Sequence, residues 1–234
     1  MPEDPARELQ ELAAQLAGWL RYQRRQGRLG VPAEPVPQPV AEAQVPGPVP
    51  TLKEVRAELG DCRRCKLAGG RTRLVFGEGS PRAALMFIGE GPGEEEDLQG
   101  LPFIGAAGQL LNNLLSRLRL KREEVYIANV VKCRPPGNRE PEVDEVAACL
   151  PFLKKQIEAI RPRVIVTLGR VATQALLATQ APLTRIRGRW QRYGKIPVMV
   201  TFHPSYLLRF PKERHKTWED MQQVMELLAG HEKG

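Results

Sequence analysis

Long apolar runs are missing from this 234-residue chain. Nothing approaches the roughly eighteen consecutive apolar residues of a helical membrane span, so no membrane partner is expected. The opening Met1-Pro2-Glu3-Asp4 is acidic and lacks the basic-then-apolar layout of a secretory signal, which points to a soluble cytoplasmic protein. Cysteine is scarce, at four residues, and disulfides are disfavoured without an export signal. There is no G-x-G-x-x-G opening a helix and no Walker lysine, which removes the usual grounds for an ATP or NAD site. Histidine occurs three times, so few imidazoles are available for chemistry. No internal repeat is present. The 42% hydrophobic content nevertheless suffices for a buried core.

Charge is plentiful and unevenly placed. The net charge is +8, yet residues 1–50 carry five Arg against six acids. Within 181–216 nine Lys or Arg stand beside a single acid, Glu213. Such a stretch is either a solvated surface or the footprint of a polyanion-binding face. Leu9, Leu12, Leu16 and Leu20 recur at helical spacing, so 1–31 reads as an amphipathic N-terminal helix whose partner the sequence does not identify. Seven prolines between Pro32 and Pro50 make 32–50 an extended linker.

The remaining stretch, 51–234, alternates strand and helix patterns. Apolar runs at Ala84–Gly89, Val125–Val131, Val164–Leu168 and Val198–Phe202 predict four buried strands. Helical patterns over about 106–118, 141–160, 170–178 and 212–229 lie between or after them. The expected fold class is α/β: three layers, with a central, mostly parallel four-stranded sheet between helices. Sites in such sheets gather at the carboxyl ends of strands, so the residues just after each run matter most.

Cys62 and Cys65 form a C-x-x-C pair ahead of the first predicted strand, and Cys133 and Cys149 follow later. Four cysteines with one close pair suit a four-thiolate centre, either zinc or iron–sulfur, and composition does not choose between them. Gly89-Glu90-Gly91-Pro92-Gly93 ends the first strand, where glycines let the backbone approach a ligand. Glu94 to Asp97 is an acidic run, either a solvated loop or one that sends a carboxylate into a pocket. Phe103 lies in a short non-helical segment, as a core residue or a stacking platform. Asn129, in an apolar run, either satisfies local backbone or offers one donor and one acceptor to a flat heterocycle. His203 is the histidine at a strand end, and beyond it Ser205, Leu207 and Arg209 mix polar, apolar and basic groups.

As an ordered set, these pieces resemble the family 4 uracil-DNA glycosylases. The matching residues are Cys62-x-x-Cys65, Gly89 to Gly93 with the acids through Asp97, Pro102-Phe103-Ile104-Gly105, Asn129-Val130-Val131-Lys132-Cys133, Cys149 and His203-Pro204-Ser205. The match covers about 55–229. The resemblance implies a 4Fe–4S cluster on Cys62, Cys65, Cys133 and Cys149. It also implies hydrolysis of deoxyuridine's N-glycosidic bond in single- or double-stranded DNA, by a nucleoid-associated monomer acting in base excision repair. His203 and the backbone N–H groups of Glu90 and Gly91 would then serve uracil O2. Asn129 would read N3–H and O4, Phe103 would stack, and Glu96 would exclude the thymine methyl. Leu207 would wedge into the vacated stack, with Ser205 and Arg209 on phosphates.

Related family 1 enzymes carry an aspartate where Gly91 stands here. Arg134-Pro135-Pro136-Gly137-Asn138-Arg139 replaces the insert of a covalent-trapping relative, so no covalent capture is expected. Lys132 is the one lysine within the motifs, which favours a monofunctional glycosylase. The rivals are a glycosylase for a wider set of deaminated bases and a non-enzymatic four-cysteine nucleic-acid binder.

Overall fold

A computed structural model describes residues 49–230 together with residue 17. The helix expected over 1–31, residue 17 apart, and the linker expected over 32–50, residues 49 and 50 apart, lie outside the described residues. No helix among the described residues is long and apolar enough to cross a membrane.

The first described helix, α1 (Leu52–Leu59), starts where Thr51 and Glu54 cap one another reciprocally. The sheet follows. Its strands are β1 (Glu78–Gly79), β2 (Leu85–Gly89), β3 (Tyr126–Asn129), β4 (Val164–Leu168), β5 (Trp190–Tyr193) and β6 (Ile196–Thr201), in the order β1-β3-β2-β4-β6-β5. The inner four run parallel, and β1 and β5 are antiparallel edges. Every residue of β2, β3 and β4 is buried, as a sheet covered on both faces requires.

Successive side chains supply opposite faces. Met86, Ile88, Ala128 and Ile165 pack with Leu153 and Ile157 of α4 (Val143–Ile160) and Ala172 of α5 (Gly169–Leu177). Leu85, Phe87, Ile127 and Val166 pack instead with Leu111 and Leu115 of α3 (Ala106–Arg117) and with Met221 and Val224 of α8 (Arg214–Gly230). Each fully buried large side chain contributes about 1.5–3 kcal/mol. The inner strands therefore dominate the sheet's stability.

The sheet has six strands, not the expected four. The two additions left no hydrophobic trace because they are edges. β1 is two residues long, and β5 leaves Trp190 and Arg192 at the surface. β5 pairs with β6 through a two-residue loop in which Gly194 takes φ +57, a conformation glycine adopts without strain. The acidic run is also not a loop. It forms α2 (Glu94–Gln99), with its carboxylates at the positive end of the helix dipole. Two more short helices, α6 (Leu183–Ile186) and α7 (Pro204–Arg209), flank β5 and follow β6.

Candidate active site

The parallel strands deliver their carboxyl ends to one edge of the sheet. Glu90, Asn129, Gly169 and His203 emerge there and line a single cavity of about 680 Å³. Gly91, Glu96, Phe103, Ser205 and Arg209 line the same cavity. The expected base-contacting residues, scattered over more than a hundred positions of sequence, are thus brought together.

Asn129 and Phe103 meet at Gly89. In the ladder Gly89 stands opposite Asn129, and a Cβ placed on Gly89 would lie 2.4 Å from Asn129 Oδ1 and 2.5 Å from Phe103 Cζ. Only glycine lets the carboxamide and the ring close over that point. Asn129 is 1% exposed, and its Oδ1 is a buried oxygen with no hydrogen-bond partner among the described residues. An unpaired buried carbonyl oxygen costs about 1–3 kcal/mol, so such atoms persist where a ligand completes them.

Phe103 is 5% exposed and takes φ +51, an unusual conformation for an aromatic residue. Two groups hold it there. Glu96 Oε1 accepts from the N–H groups of Ile104 and Gly105, each at 3.0 Å, while its Oε2 accepts from Gly93 N–H at 3.0 Å. Arg122 donates to the Phe103 carbonyl at 3.2 Å and to the Pro102 carbonyl, and its Nε donates to Glu78 at 2.8 Å. Glu96 therefore lies on the cavity wall as a fixed brace, its carboxylate already engaged. Arg122 sits in a charged stretch, Lys121 to Glu124, and no sequence signal marked it.

His203 caps α7, and its Nδ1 accepts from Ser205 N–H at 3.1 Å. Its ring centroid lies 5.6 Å from that of Phe103. Burial, reinforced by the nearby Arg209, pulls its pKa down to about 4 against a weaker opposing pull from Glu96. At neutral pH the ring is uncharged, and with Nδ1 accepting, the proton resides on Nε2. His203 is thus a neutral donor. Gly169, at φ +88, lets the chain pass: a Cβ there would sit 2.9 Å from His203 Cβ.

Burial, with the charge of Glu140 next, pushes the Glu90 carboxyl up to about 7, while Arg170 opposes the shift. Arg170 is itself paired with Glu140 and donates to Gln174 at 3.1 Å. This rim pair was not anticipated, although Arg170 follows a strand end. A Cβ on Gly91 would meet Val131 Cγ2 at 2.8 Å, so an aspartate at that position would have to displace the Val131 methyl.

Leu207 stands apart from the cavity that gathers the other residues. It is 4% exposed and lines a separate apolar cavity with Leu111, Leu168 and Trp218, so in this conformation it has no route into a DNA stack. The resemblance assigns Leu207 as the wedge, whereas here α7 turns it inward. Its neighbours Leu208 and Phe210 are 39% and 50% exposed, and Phe210 ends a run of ring contacts through Tyr206 to Phe202.

Cys62 and Cys65 are half-buried, whereas Cys133 and Cys149 are buried. Three N–H donors address their sulfurs at 3.3 Å: Arg64 to Cys62, Arg71 to Cys133 and the Lys132 amide to Cys149. Burial raises the thiol pKa of Cys133 and Cys149, the latter to about 11. Among the described residues, no three His, Cys, Asp or Glu side chains are grouped as a ready site for a single metal ion.

Residues 76–228 match the family model described as the uracil DNA glycosylase superfamily. A type-4 uracil-DNA glycosylase of Sulfurisphaera tokodaii is 45% identical over 186 residues, covering 76% of this chain and 84% of that protein. One of Archaeoglobus fulgidus is 42% identical, covering 76% of this chain and 94% of its own length. One of Thermotoga maritima reaches 51% over 163 residues, 68% of this chain and 84% of that protein. With the fold, the converging strand ends and these likenesses in place, the chain belongs to the uracil DNA glycosylase superfamily, among the type-4 uracil-DNA glycosylases.

Proposed function

We propose that this protein excises uracil from DNA by hydrolysing the N-glycosidic bond of an extruded deoxyuridine, leaving an abasic site for base excision repair. The observation that carries this reading is the buried, unpartnered Asn129 Oδ1 beside the Phe103 ring. Uracil presents N3–H as a donor and O4 as an acceptor, which the two ends of a carboxamide match. Cytosine reverses both and would leave buried groups unpaired, a mismatch that such sites penalise strongly. Phe103 stacks on the ring. Glu96, immobilised by its three N–H donors, stands as a fixed wall on the side assigned to excluding the thymine methyl.

Bond cleavage places positive character on the sugar and negative charge on the departing base. A neutral His203 with its proton on Nε2, aided by the Glu90 and Gly91 N–H groups, donates to uracil O2 and stabilises that anion. Because the donor is already in place and poorly solvated, little reorganisation is needed at the transition state. Glu90, titrating near 7, can take up the proton lost by the attacking water. Ser205 and Arg209 on the cavity rim are assigned to flanking phosphates, with the basic 181–216 stretch extending that contact. The apolar groups offered to the stack are Leu208 and Phe210. The enzyme is assigned as a monomer that acts close to the nucleoid.

Cys62, Cys65, Cys133 and Cys149 are assigned to a 4Fe–4S cluster. The donor set suits it: four cysteines, with N–H groups aimed at three of the sulfurs that would accept from them. When bound, the cluster cross-links the segment after α1 to the chain beyond β3 and to α4. Purified protein should then be brown, with absorbance near about 400 nm.

The test is release of free base from single- and double-stranded DNA carrying one uracil, thymine, cytosine or hypoxanthine. Release of uracil alone supports the reading. Wider release would move the assignment to a deaminated-base glycosylase, and salt-sensitive binding without release to a plain nucleic-acid binder.

A further inference from the structure

Three residues beyond Asn129, and next to Cys133, stands a lysine that the uracil chemistry does not use. Lys132 is 1% exposed. Its Nζ donates to the main-chain carbonyl of Asn129 at 2.8 Å and to Gln156 Oε1 at 2.6 Å. Gln156 is fully buried and spends its own Nε2 on the Phe76 carbonyl at 2.9 Å and on the Tyr126 hydroxyl at 3.2 Å. The Lys132 main chain is engaged as well, its carbonyl accepting from Val75 N–H at 2.8 Å and its N–H donating to Cys149 Sγ at 3.3 Å. Gln156 and Cys149 lie seven residues apart on α4, two helical turns, and so share one face.

We infer that Lys132 is a positioning residue for Asn129: through its paired contacts it fastens the strand end that carries the base-reading carboxamide to Gln156 of α4, the helix that also carries Cys149. A long, rotamer-rich side chain is costly to bury. This one is buried with two of its three N–H donors given to defined acceptors, one of which is the backbone of the recognition residue. The helix that carries Cys149 thereby braces the strand end that carries Asn129. This inference rests on Asn129 reading uracil, as proposed above.

A merely structural lysine and a positioning lysine differ in how their loss combines with loss of the carboxamide's function. Lys132→Met keeps the length and the burial but removes the donors. The expected result is a fall in kcat for uracil release on the order of 10- to 100-fold, the scale of a slightly misplaced reacting group, with KM little changed. A second readout does not depend on turnover. Kd for duplex containing non-cleavable 2′-fluoro-deoxyuridine should weaken, while Kd for the matching thymidine duplex should not. Against an Asn129→Asp background, Lys132→Met should cost little more, because the group it positions is already impaired. Should Lys132→Met fail to fold, Gln156→Met breaks the same strut from the far side and must show the same non-additivity. Unchanged kcat, or losses that simply add to those of Asn129→Asp, would overturn the inference. Absence of uracil release by the unsubstituted protein would instead remove the function on which it rests.

Discussion

Two buried polar groups three residues apart, Asn129 and Lys132, are treated in opposite ways. Around Lys132 the hydrogen-bonding groups find partners: two of the ammonium's three N–H groups have acceptors, and both ends of Gln156 are engaged. Asn129 Oδ1 has no partner among the described residues. Both side chains are buried to the same degree, at 1% exposure each, so the difference is not one of depth. A satisfied network holds its neighbours in one arrangement, and an unsatisfied atom held rigidly by that arrangement is waiting for a ligand. The contrast separates scaffold from reader without reference to any relative.

The largest effect should come from disturbing the reader. Asn129→Asp replaces the donor end of the carboxamide with a carboxylate oxygen that repels uracil O4. Single-turnover uracil release should fall by about a thousandfold, the scale of losing a preorganised transition-state donor. Affinity for uracil-free DNA should hold. Equal loss of both would place Asn129 in the scaffold and dissolve the comparison.

Next comes the gap that allows the reader and the stacking ring to meet. Gly89→Ala would put a methyl 2.4 Å from Asn129 Oδ1 and 2.5 Å from Phe103 Cζ. Excision should drop by about a hundredfold through displacement of both groups. Unfolding free energy should fall by about 1–3 kcal/mol, as for other overpacked sites. A fully active, equally stable variant would show that the two groups do not converge there.

The rim sharpens the same distinction on a smaller scale. Leu207→Ala should destabilise the fold by about 2–5 kcal/mol, because it empties a buried position. Phe210→Ala should leave stability within about 0.5 kcal/mol while lowering excision several-fold more on double-stranded than on single-stranded uracil DNA. Thermal melts and strand-specific rates separate the two variants.

The smallest effect is a displaced titration. Glu140 raises the Glu90 pKa and Arg170 lowers it. Glu140→Gln removes the first influence and releases Arg170 to strengthen the second, so the inflection near pH 7 in the rate profile should move to lower pH. His203 gives a separate boundary. Its folded pKa, about 4, lies below its ordinary value, so between about pH 6.5 and 4 the unfolded chain binds more protons than the native one. Stability contributed through His203 is therefore fully present above that window and is lost as the pH falls through it. Excision should fail on the same acid side, as the imidazole gains charge.

Legibility followed physical visibility. The four inner strands advertise themselves as apolar runs because they are buried on both faces, and their carboxyl ends pointed to Glu90, Asn129 and His203. The edges β1 and β5 bury too little to leave a pattern. From its run alone Glu96 was one acid among four, singled out only by the resemblance, because nothing in the pattern shows that its carboxylate turns back onto the N–H groups of Gly93, Ile104 and Gly105. Arg122 and Gln156 were invisible for the same reason: their partners are remote in sequence. For Leu207 the resemblance gave a role but not an orientation, because a motif match does not say which side of a short helix faces inward.

The account turns on whether the Asn129 carboxamide and the His203 imidazole serve one ring. The direct measurement is a nitrogen-15 NMR titration with free uracil, following the Asn129 side-chain amide and the His203 ring nitrogens together. Both sets of resonances should shift along one saturation curve, with the imidazole remaining neutral and protonated on Nε2 throughout. Shifts at one residue without the other, or an imidazole already charged at neutral pH, would contradict it.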